Sequence, residues 1–531
     1  MPKLTIDGRE IEVEAGRTVL QAALSAGNEI PHYCYHPGLS IAGNCRMCLV
    51  EVEKAPKLLI ACDTRVQEGM VVHTDSERVR GARASMMEFF LINHPLDCPI
   101  CDQAGECRLQ EYAMEHGRGI SRYVEAKNAF EKAVDIGRHV MLDQERCIQC
   151  SRCIRFCDEV TRTGELAFFR RGESTVIGVV PGKPLDNPYS GNVVDICPVG
   201  ALTLKEFRFK TRVWYLQNTP SVCAACSRGC NVFVGVGTQR LLMATQGQQD
   251  ESIKRIVPRV NDVVNGHWMC DEGRLSYRRL YSGERLVRAR TRDDDDATWE
   301  DAVRTAAAIL KSAAGKVGLL ISPRLTSEDM LAWRLLLERL GGGPVGVRRL
   351  VEGKDDDLLI RADKGANSQG ASWIFGDATA EADLFAAARA GRLATLVIVG
   401  DALNPEDGPS VEAAARERIA SVIHVGPFVP GDAASAAVLL PSAAWSEEDG
   451  TIVNFEGRIQ RVRRCHLPRG EGRPGWRVAR DVAEAARLEM PPWTSSAEVL
   501  ASLAERVAEY EGLDLESIGL LGAETGVGLG A

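Results

Sequence analysis

The chain has 531 residues, of which 45% are hydrophobic, and a formal net charge of −9 at pH 7. This length predicts roughly three to five domains with apolar cores, and the negative charge argues against nucleic acid as the main partner. No segment has the long uncharged run of a membrane helix, and the first residues lack the pattern of a secretion signal. We therefore expect a reducing compartment, where clustered cysteines bind metal rather than form disulfides.

The amino-terminal segment predicts a small sheet with one helix. Residues 3–14 alternate apolar and polar side chains around a central Asp-Gly pair, which predicts a β-hairpin. Thr18 is a typical helix-capping residue, and we expect a short helix from there to about Ala26. A further strand is predicted over residues 49–52. A small sheet with one packed helix and a cysteine-bearing loop is the β-grasp arrangement.

The first of four groups of candidate metal ligands lies in this segment. Its members are Cys34, Cys45, Cys48 and Cys62. A long loop that ends in two cysteines two residues apart is how plant-type ferredoxins hold a [2Fe–2S] cluster, although the spacing there differs. The alternative is structural zinc, whose usual pattern is two paired motifs. Because Cys34 and Cys62 are both single, the pattern favours the cluster over zinc.

A predicted helix over residues 77–93 leads directly into the second group. Its members are His94, Cys98, Cys101 and Cys107. Pro95 and Pro99 stiffen the turns between them. One histidine with three thiolates suits either an iron–sulfur cluster or zinc, so this motif alone does not decide the metal.

The third group lies in two short ferredoxin-like segments between residues 138 and 215. Its members are Cys147, Cys150, Cys153 and Cys197. Three cysteines spaced by two residues, with a remote Cys-Pro, form the bacterial ferredoxin arrangement for [4Fe–4S]. Cys157 follows the triplet, and no second complete triplet lies nearby. We predict that Cys157 is a spare buried thiol, with the alternative that it replaces Cys197 as a ligand.

The fourth group follows a basic, aromatic stretch over residues 207–215. Its members are Cys223, Cys226, Cys230 and Cys270. This pattern suits another [4Fe–4S] cluster, with a zinc knuckle as the alternative. Together the four groups contain fifteen of the seventeen cysteines and one histidine. Four such sites exceed what folding requires, whereas several clusters in sequence make a path for electrons.

Beyond residue 274 the character of the chain changes, and Cys465 is the only further cysteine. The aspartates at 293–296 predict an exposed turn, and buried-type strands then alternate with helices, which predicts an α/β domain with a parallel sheet. The predicted strands are Val317–Ile321, Thr395–Val399, Val422–Val425 and Val438–Leu440, and the predicted helices cover residues 300–313, 327–340 and 409–419. Terminal helices are expected over residues 478–512, followed by a loose end from Gly522.

The four groups, in this order and spacing, closely resemble those of the large iron–sulfur subunits (the G subunits) of bacterial proton-translocating NADH:quinone oxidoreductase, respiratory complex I. The resemblance is strong over residues 1–275. Residues 276–531 resemble a shortened domain of the molybdopterin-oxidoreductase type. The segments that carry this second resemblance are Ile398–Pro405, Ala436–Pro441, Glu447–Thr451 and Asn454–Gln460.

The resemblance implies a multidomain fold of α+β and α/β parts. The implied domains are a β-grasp [2Fe–2S] ferredoxin domain (1–78), a one-histidine, three-cysteine [4Fe–4S] domain (79–118), a ferredoxin-like [4Fe–4S] domain (138–215), a four-cysteine [4Fe–4S] segment of molybdopterin-oxidoreductase type (216–275) and a shortened molybdopterin-oxidoreductase-like domain without metal (276–531). We expect one [2Fe–2S] and three [4Fe–4S] clusters and no molybdopterin.

The resemblance also implies a function within a larger complex. Electrons from NADH would leave a flavin on a neighbouring NADH/FMN-binding subunit, enter at the first or third group, and pass through the His94 group. They would continue to a ferredoxin-like subunit on the quinone side, with the fourth group off the main path. The protein would lie peripherally, with other peripheral-arm subunits, on the cytoplasmic side of the bacterial inner membrane. No Gly-x-Gly-x-x-Gly motif follows a strand in a βαβ unit, so hydride transfer is not expected on this chain.

Two other functions compete with this one. The first is the electron-input subunit of an NAD-linked hydrogenase or formate dehydrogenase, which shares the amino-terminal modules. An iron-only hydrogenase would need further cysteines after residue 275, and a formate dehydrogenase would need a molybdenum ligand and a longer domain. The second competitor is a zinc-stabilised interaction scaffold, which would be colourless where an iron–sulfur protein is brown.

Overall fold

The computed structural model describes residues 1–238, 252–376, 381–400, 418–430 and 436–525. The chain forms two compact units, Met1–Leu216 and Gln217–Ala531. No helix in the described ranges is long and apolar enough to cross a membrane.

The first unit begins with the predicted β-grasp sheet. Its strands, in spatial order, are Arg9–Glu12, Lys3–Ile6, Met70–His73, Leu49–Val52 and Leu59–Ile60. The first two form the expected antiparallel hairpin, and Lys3–Ile6 runs parallel to Met70–His73. The helix Val19–Ser25 starts at Thr18 with a capping box, in which the Thr18 hydroxyl and the Gln21 side chain each bond the other's backbone N–H. Its apolar face packs on the sheet, so the sequence prediction for this domain is confirmed.

The rest of the first unit consists of short elements around the second and third ligand groups. The remaining helices are Glu77–Leu91, Arg108–His116, Arg152–Arg155 and Asn192–Asp195, with 3₁₀ turns at Cys98–Ile100, Gly172–Ser174 and Val213–Tyr215 and a π-helical turn at Phe156–Val160. One sheet contains Leu202–Leu204, Val140–Leu142 and Val134–Asp135, and another pairs Leu166–Phe169 with Val176–Val179. The helix expected to end near residue 93 ends at Leu91, three residues before His94.

The second unit begins with a three-stranded sheet that carries the fourth ligand group. Its strands are Leu216–Val222, Asn231–Gly237 and Ile253–Pro258. The short helix Asp271–Leu275 follows Cys270 directly, and a 3₁₀ turn covers Ser276–Tyr281.

A six-stranded α/β sheet forms the centre of the second unit. In spatial order its strands are Arg290–Thr291, Val438–Pro441, Ser421–Gly426, Thr395–Val399, Val317–Ile321 and Val345–Val347. All neighbours are parallel except the first pair. Every residue of the Val317–Ile321 and Thr395–Val399 strands is buried, as expected for a parallel sheet covered on both faces. The four predicted strands and the parallel arrangement are confirmed.

Helices and a small third sheet complete the second unit. The helices are Trp299–Ser312, Ser327–Arg339, Ser368–Phe375, Glu381–Arg389, Gly475–Ala485, Ser496–Ala504 and Leu515–Ile518, with a 3₁₀ turn at Ala508–Tyr510. The helix predicted over 409–419 lies outside the described residues except at its last two positions. The loose end predicted from Gly522 is wrong at its start, because Ala523–Glu524 pairs with the strand Arg458–Val462, which also pairs with Gly450–Val453.

Candidate metal centres

The first group is a buried set of four thiols at the edge of the β-grasp sheet. Cys34, Cys45, Cys48 and Cys62 are each at most 5% exposed. The Cys34 thiol lies in hydrogen-bonding contact with Cys45 and Cys62, and the contact with Cys45 above all lowers its pKa. Cys48 makes a similar contact with Cys62, which lowers the pKa of the Cys48 thiol. The structure therefore brings all four predicted residues together.

The loop between Cys34 and Cys48 presents backbone donors to these sulfurs. Backbone N–H groups of Asn44 and Cys45 reach the Cys34 sulfur. The turn depends on left-handed backbone at Gly43 and Arg46, with φ of 60° and 56°. Hydrogen bonds to sulfur stabilise the thiolate form, which is the form that binds metal.

The second group lies in the loop between the helices Glu77–Leu91 and Arg108–His116. Cys101 is buried, Cys107 is half-buried and Cys98 is exposed. The pKa of Cys107 is raised to about 11, mainly by burial and to a smaller extent by the nearby Cys101 and Cys98 thiols. Gly105, at φ 93°, makes the turn before Cys107.

His94 has the environment of a neutral, metal-binding imidazole. Its Nδ1 atom is buried and has no hydrogen-bond partner among the described residues. Burial lowers the pKa of His94 to about 4, so the ring is neutral at physiological pH. Arg146 acts electrostatically on both His94 and Cys101, which places the imidazole in the neighbourhood of the group's thiols. A buried ring nitrogen without a partner fits a metal ligand.

The third group lines one small, mostly apolar cavity. Cys147, Cys150, Cys153 and Cys197 all face this cavity, together with apolar side chains such as Ile177 and Leu202. The Gln149 N–H donates to the Cys147 sulfur at 3.4 Å, and backbone N–H groups after Cys197 donate to its sulfur. Gln149 and Ser151 adopt left-handed backbone, at φ of 54° and 61°, although neither is glycine. Such backbone strain is found at functional sites.

Cys157 and Cys465 stand apart from the four groups. Cys157 is fully buried but does not line the cavity, and burial raises the pKa of its thiol to about 12. Cys465 is 9% exposed, and its thiol donates to the Arg463 carbonyl at 3.2 Å. The burial of Cys157 agrees with the prediction of a buried thiol at that position.

The fourth group lies between the three-stranded sheet and the helix Asp271–Leu275. Cys223, Cys226, Cys230 and Cys270 are each at most 7% exposed. The Cys223 N–H donates to the Cys230 carbonyl at 2.8 Å, and the other three thiols all raise the pKa of Cys230, after burial itself. A Cβ atom on Gly273 would lie 2.8 Å from the Cys223 sulfur and 3.5 Å from that of Cys270. Glycine is therefore required where the helix passes the sulfurs.

Soft thiolates, a neutral imidazole and close-approach glycines fit iron–sulfur clusters, which accept Cys and His ligands. Among the residues that the structure describes, no three side chains already converge tightly enough to hold a metal ion. The groups are defined instead by common cavities, mutual electrostatic effects and thiol contacts.

Several residues near these groups were missed by the sequence analysis. Gly200 follows Cys197 of the third group by three residues and packs against the second group. A Cβ atom at this position would lie 2.1 Å from the Cys101 sulfur. The backbone N–H of Arg108, the residue after Cys107, donates to the Pro198 carbonyl at 3.2 Å. Lys364 lies near Cys226 and Cys270 and forms an ion pair with Glu272 at 2.6 Å. Only Gly200 had a usable signal, a glycine three residues after a predicted ligand.

Comparison with family models matches five segments of the chain to iron–sulfur or related families. The matches are to a 2Fe-2S iron-sulfur cluster binding domain (2–77), the NADH-ubiquinone oxidoreductase-G iron-sulfur binding region (83–122), the ferredoxin-like domain of NADH-quinone oxidoreductase subunit 3 (137–203), a molybdopterin oxidoreductase Fe4S4 domain (216–282) and molybdopterin oxidoreductase (382–485). Together with the thiol groups, these matches define an iron–sulfur protein with both 2Fe-2S and 4Fe-4S binding domains.

Curated subunits of NADH-quinone and NADH-ubiquinone oxidoreductases are similar to this chain. The G subunit of NADH-quinone oxidoreductase from Rickettsia conorii is 42% identical over 353 residues, which is 66% of this chain and 50% of the relative. The mitochondrial NADH-ubiquinone oxidoreductase 78 kDa subunit of Candida albicans is 40% identical over 347 residues, 64% of this chain and 46% of the relative. The chain is similar to these subunits, and it spans about half the length of the relatives.

Among solved structures, a chain from an NAD+-reducing [NiFe]-hydrogenase in the H2-reduced state is similar. It is 31% identical, the match covers 40% of this chain and 91% of that one, and the TM-score is 0.37.

Proposed function

We propose that this chain is the electron-transfer subunit of an NADH:quinone oxidoreductase. It would pass electrons from an NADH/flavin subunit towards quinone, in a complex that couples this transfer to proton translocation. The observation that carries the proposal is the adjacency of three ligand groups within one unit. The segment Cys197–Gly200 contacts the second group, and the helix that follows Cys150 contacts the loop of the first.

The proposed ligands are the sixteen residues of the four groups. Cys34, Cys45, Cys48 and Cys62 would hold one [2Fe–2S] cluster, and each of the other three groups would hold one [4Fe–4S] cluster, which gives about 14 Fe per chain. When bound, such clusters supply reversible one-electron oxidation and reduction. The chain's own residues bury most of the cysteines, donate backbone N–H groups to several of the sulfurs and keep His94 neutral.

The third group would be the central one of the first unit. It adjoins the first group on one side and the second group on the other. We propose that electrons from the NADH/FMN-binding subunit enter at the first or third group and leave from the His94 group towards a ferredoxin-like quinone-side subunit. Cys98 supports an exit there, because it is the one exposed thiol among the proposed ligands. The complex would hold this protein peripherally, on the cytoplasmic side of the bacterial inner membrane.

We further propose the domain boundaries 1–78, 79–118, 138–215, 216–275 and 276–531, with no molybdopterin in the last. The domain would instead serve packing and assembly. Elemental analysis tests this part of the proposal, since molybdenum or tungsten near one atom per chain would overturn it.

A variant within the purified complex tests the function. Cys101→Ala should abolish NADH-driven quinone reduction but leave reduction of an artificial acceptor at the flavin intact, because only the path beyond the flavin is broken. Cys157→Ser is the matched control and should leave both activities unchanged. Normal quinone reduction in Cys101→Ala would contradict a path through the second group.

A further inference from the structure

Two arginines after Cys150 reach the loop that carries Cys34. Both lie in the short helix Arg152–Arg155. The Arg155 Nη2 atom donates to the Cys34 carbonyl at 2.5 Å and to the Cys150 carbonyl at 3.5 Å. One guanidinium nitrogen therefore joins a proposed ligand of the first group to a proposed ligand of the third through two hydrogen bonds.

Arg152 also connects the first and third groups, through the residues next to Cys34 and Cys197. Its Nη1 atom donates to the Ile196 carbonyl at 3.1 Å, and Nη2 donates to the Tyr35 carbonyl. Ile196 immediately precedes Cys197, and Tyr35 immediately follows Cys34. The two arginines thus clamp the same pair of groups at different points.

Further hydrogen bonds fix the same junction. Arg155 Nη1 donates to the Ser40 carbonyl, and the Ser40 N–H donates to Glu159 at 2.8 Å. The Asn44 side chain donates to the Gln149 carbonyl at 3.3 Å. The loop before Cys45 is therefore held against the third group along its length.

Among the described residues, the positive charges at this junction are not paired with a carboxylate. In the described part of the chain, the hydrogen bonds of both guanidinium groups go to carbonyl or hydroxyl oxygens, and neither group forms an ion pair. Arg152 lies within electrostatic reach of Cys150 and Cys197 in the third group, and of Cys34 and Cys45 in the first. A half-buried cation here acts on both groups at once, because charge within a protein is screened less than in bulk water.

We propose that Arg152 and Arg155 are positioning residues for electron exchange between the first and third groups. They would fix the distance between the groups and stabilise the extra negative charge that each acquires on reduction. In that exchange one electron is lost by one group and gained by the other, with no bond or proton transferred. The proposal rests on the proposed function, because it requires clusters at both groups.

Redox titration of the full-length, cluster-loaded protein, followed by EPR, tests the proposal. In Arg152→Gln and Arg155→Gln, the reduced-to-oxidised ratio at a fixed potential should fall about tenfold for both groups. A tenfold change corresponds to a midpoint about 59 mV lower for a one-electron couple. Arg171→Gln is the control, since Arg171 is exposed and makes no hydrogen bond or ion pair within the described structure.

Arg155→Lys separates charge from geometry. Lysine keeps the positive charge but lacks the planar group that reaches both carbonyls. In this variant we expect the reduced-to-oxidised ratio of each group at a fixed potential to stay within about twofold of the wild-type ratio. The magnetic interaction between the two reduced centres should weaken.

The outcomes are distinct. Unchanged potentials in both glutamine variants, or a shift in only one group, would overturn the proposal while leaving the proposed function intact. Loss of either cluster signal in both single variants would make the arginines a structural clamp alone, which also overturns it. Absence of iron–sulfur signals in the wild-type protein would instead reject the proposed function.

Discussion

Replacing Gly200 by alanine tests the contact between the second and third groups. The added Cβ would lie 2.1 Å from the Cys101 sulfur, 3.1 Å from the Gln103 Cβ and 3.8 Å from the Arg146 Cδ. Ordinary contacts between such atoms are about 3.5–4.0 Å, so the Cys101 sulfur or the Gly200 backbone must move by roughly 1.5 Å.

That movement exceeds what a metal ligand tolerates. Ligand distances vary by only about 0.2 Å in a working site, so we expect loss of the second-group cluster and about 4 of about 14 Fe per chain. Overpacking should also lower the free energy of unfolding by about 1–3 kcal/mol. Iron analysis, EPR of the reduced protein and denaturant unfolding measure the three effects.

Gly81→Ala is the matched control for the same substitution. Gly81 is exposed within the helix Glu77–Leu91, and a Cβ there meets nothing within 4 Å. This variant should retain all iron and gain up to about 1 kcal/mol of stability, because alanine favours helix more than glycine does. Full iron content and an unaltered second-group signal in Gly200→Ala would contradict a close contact between Gly200 and the Cys101 sulfur.

Three further predictions concern single side chains. His94→Cys should retain more second-group EPR signal than Cys101→Ala, because a thiolate can replace imidazole whereas alanine leaves an iron without a protein ligand; equal loss in both would contradict the assignment. Cys197→Ser should abolish the third-group signal and Cys157→Ser should not, since only Cys197 faces the cavity; the reverse result would exchange their roles. Burial raises the pKa of Glu328 from 4.5 to about 8, so between these two pH values the native state binds a proton that the unfolded state has lost. The free energy of unfolding should therefore fall by up to about 1.4 kcal/mol per pH unit as the pH rises through this range. Glu328→Gln should flatten that slope in denaturant titrations, and an unchanged slope would show that Glu328 does not titrate there.

Local patterns allowed much of the fold to be predicted from the sequence. The hairpin Lys3–Glu12, the helix starting at Thr18 and the strand Thr395–Val399 follow from alternation, capping and apolar runs, and all lie where predicted. Short edge strands were missed, such as Val345–Val347 and Ala523–Glu524. Two or three residues are too few to show a periodicity, and their pairing depends on partners far along the chain.

The four candidate ligand groups were proposed from the sequence, because most of their cysteines lie within a few residues of one another. Their surroundings were not. Arg155 contacts Cys34 across 121 residues, and Gly200 meets Cys101 across a similar separation. No spacing rule connects such positions, so these contacts required the folded chain.

We propose that all four groups hold iron–sulfur clusters. EPR of the reduced, purified full-length protein, quantified together with its iron and zinc content, tests this most directly. We predict one [2Fe–2S] and three [4Fe–4S] signals with about 14 Fe and negligible zinc per chain. Stoichiometric zinc with little iron, in a colourless protein, would contradict it.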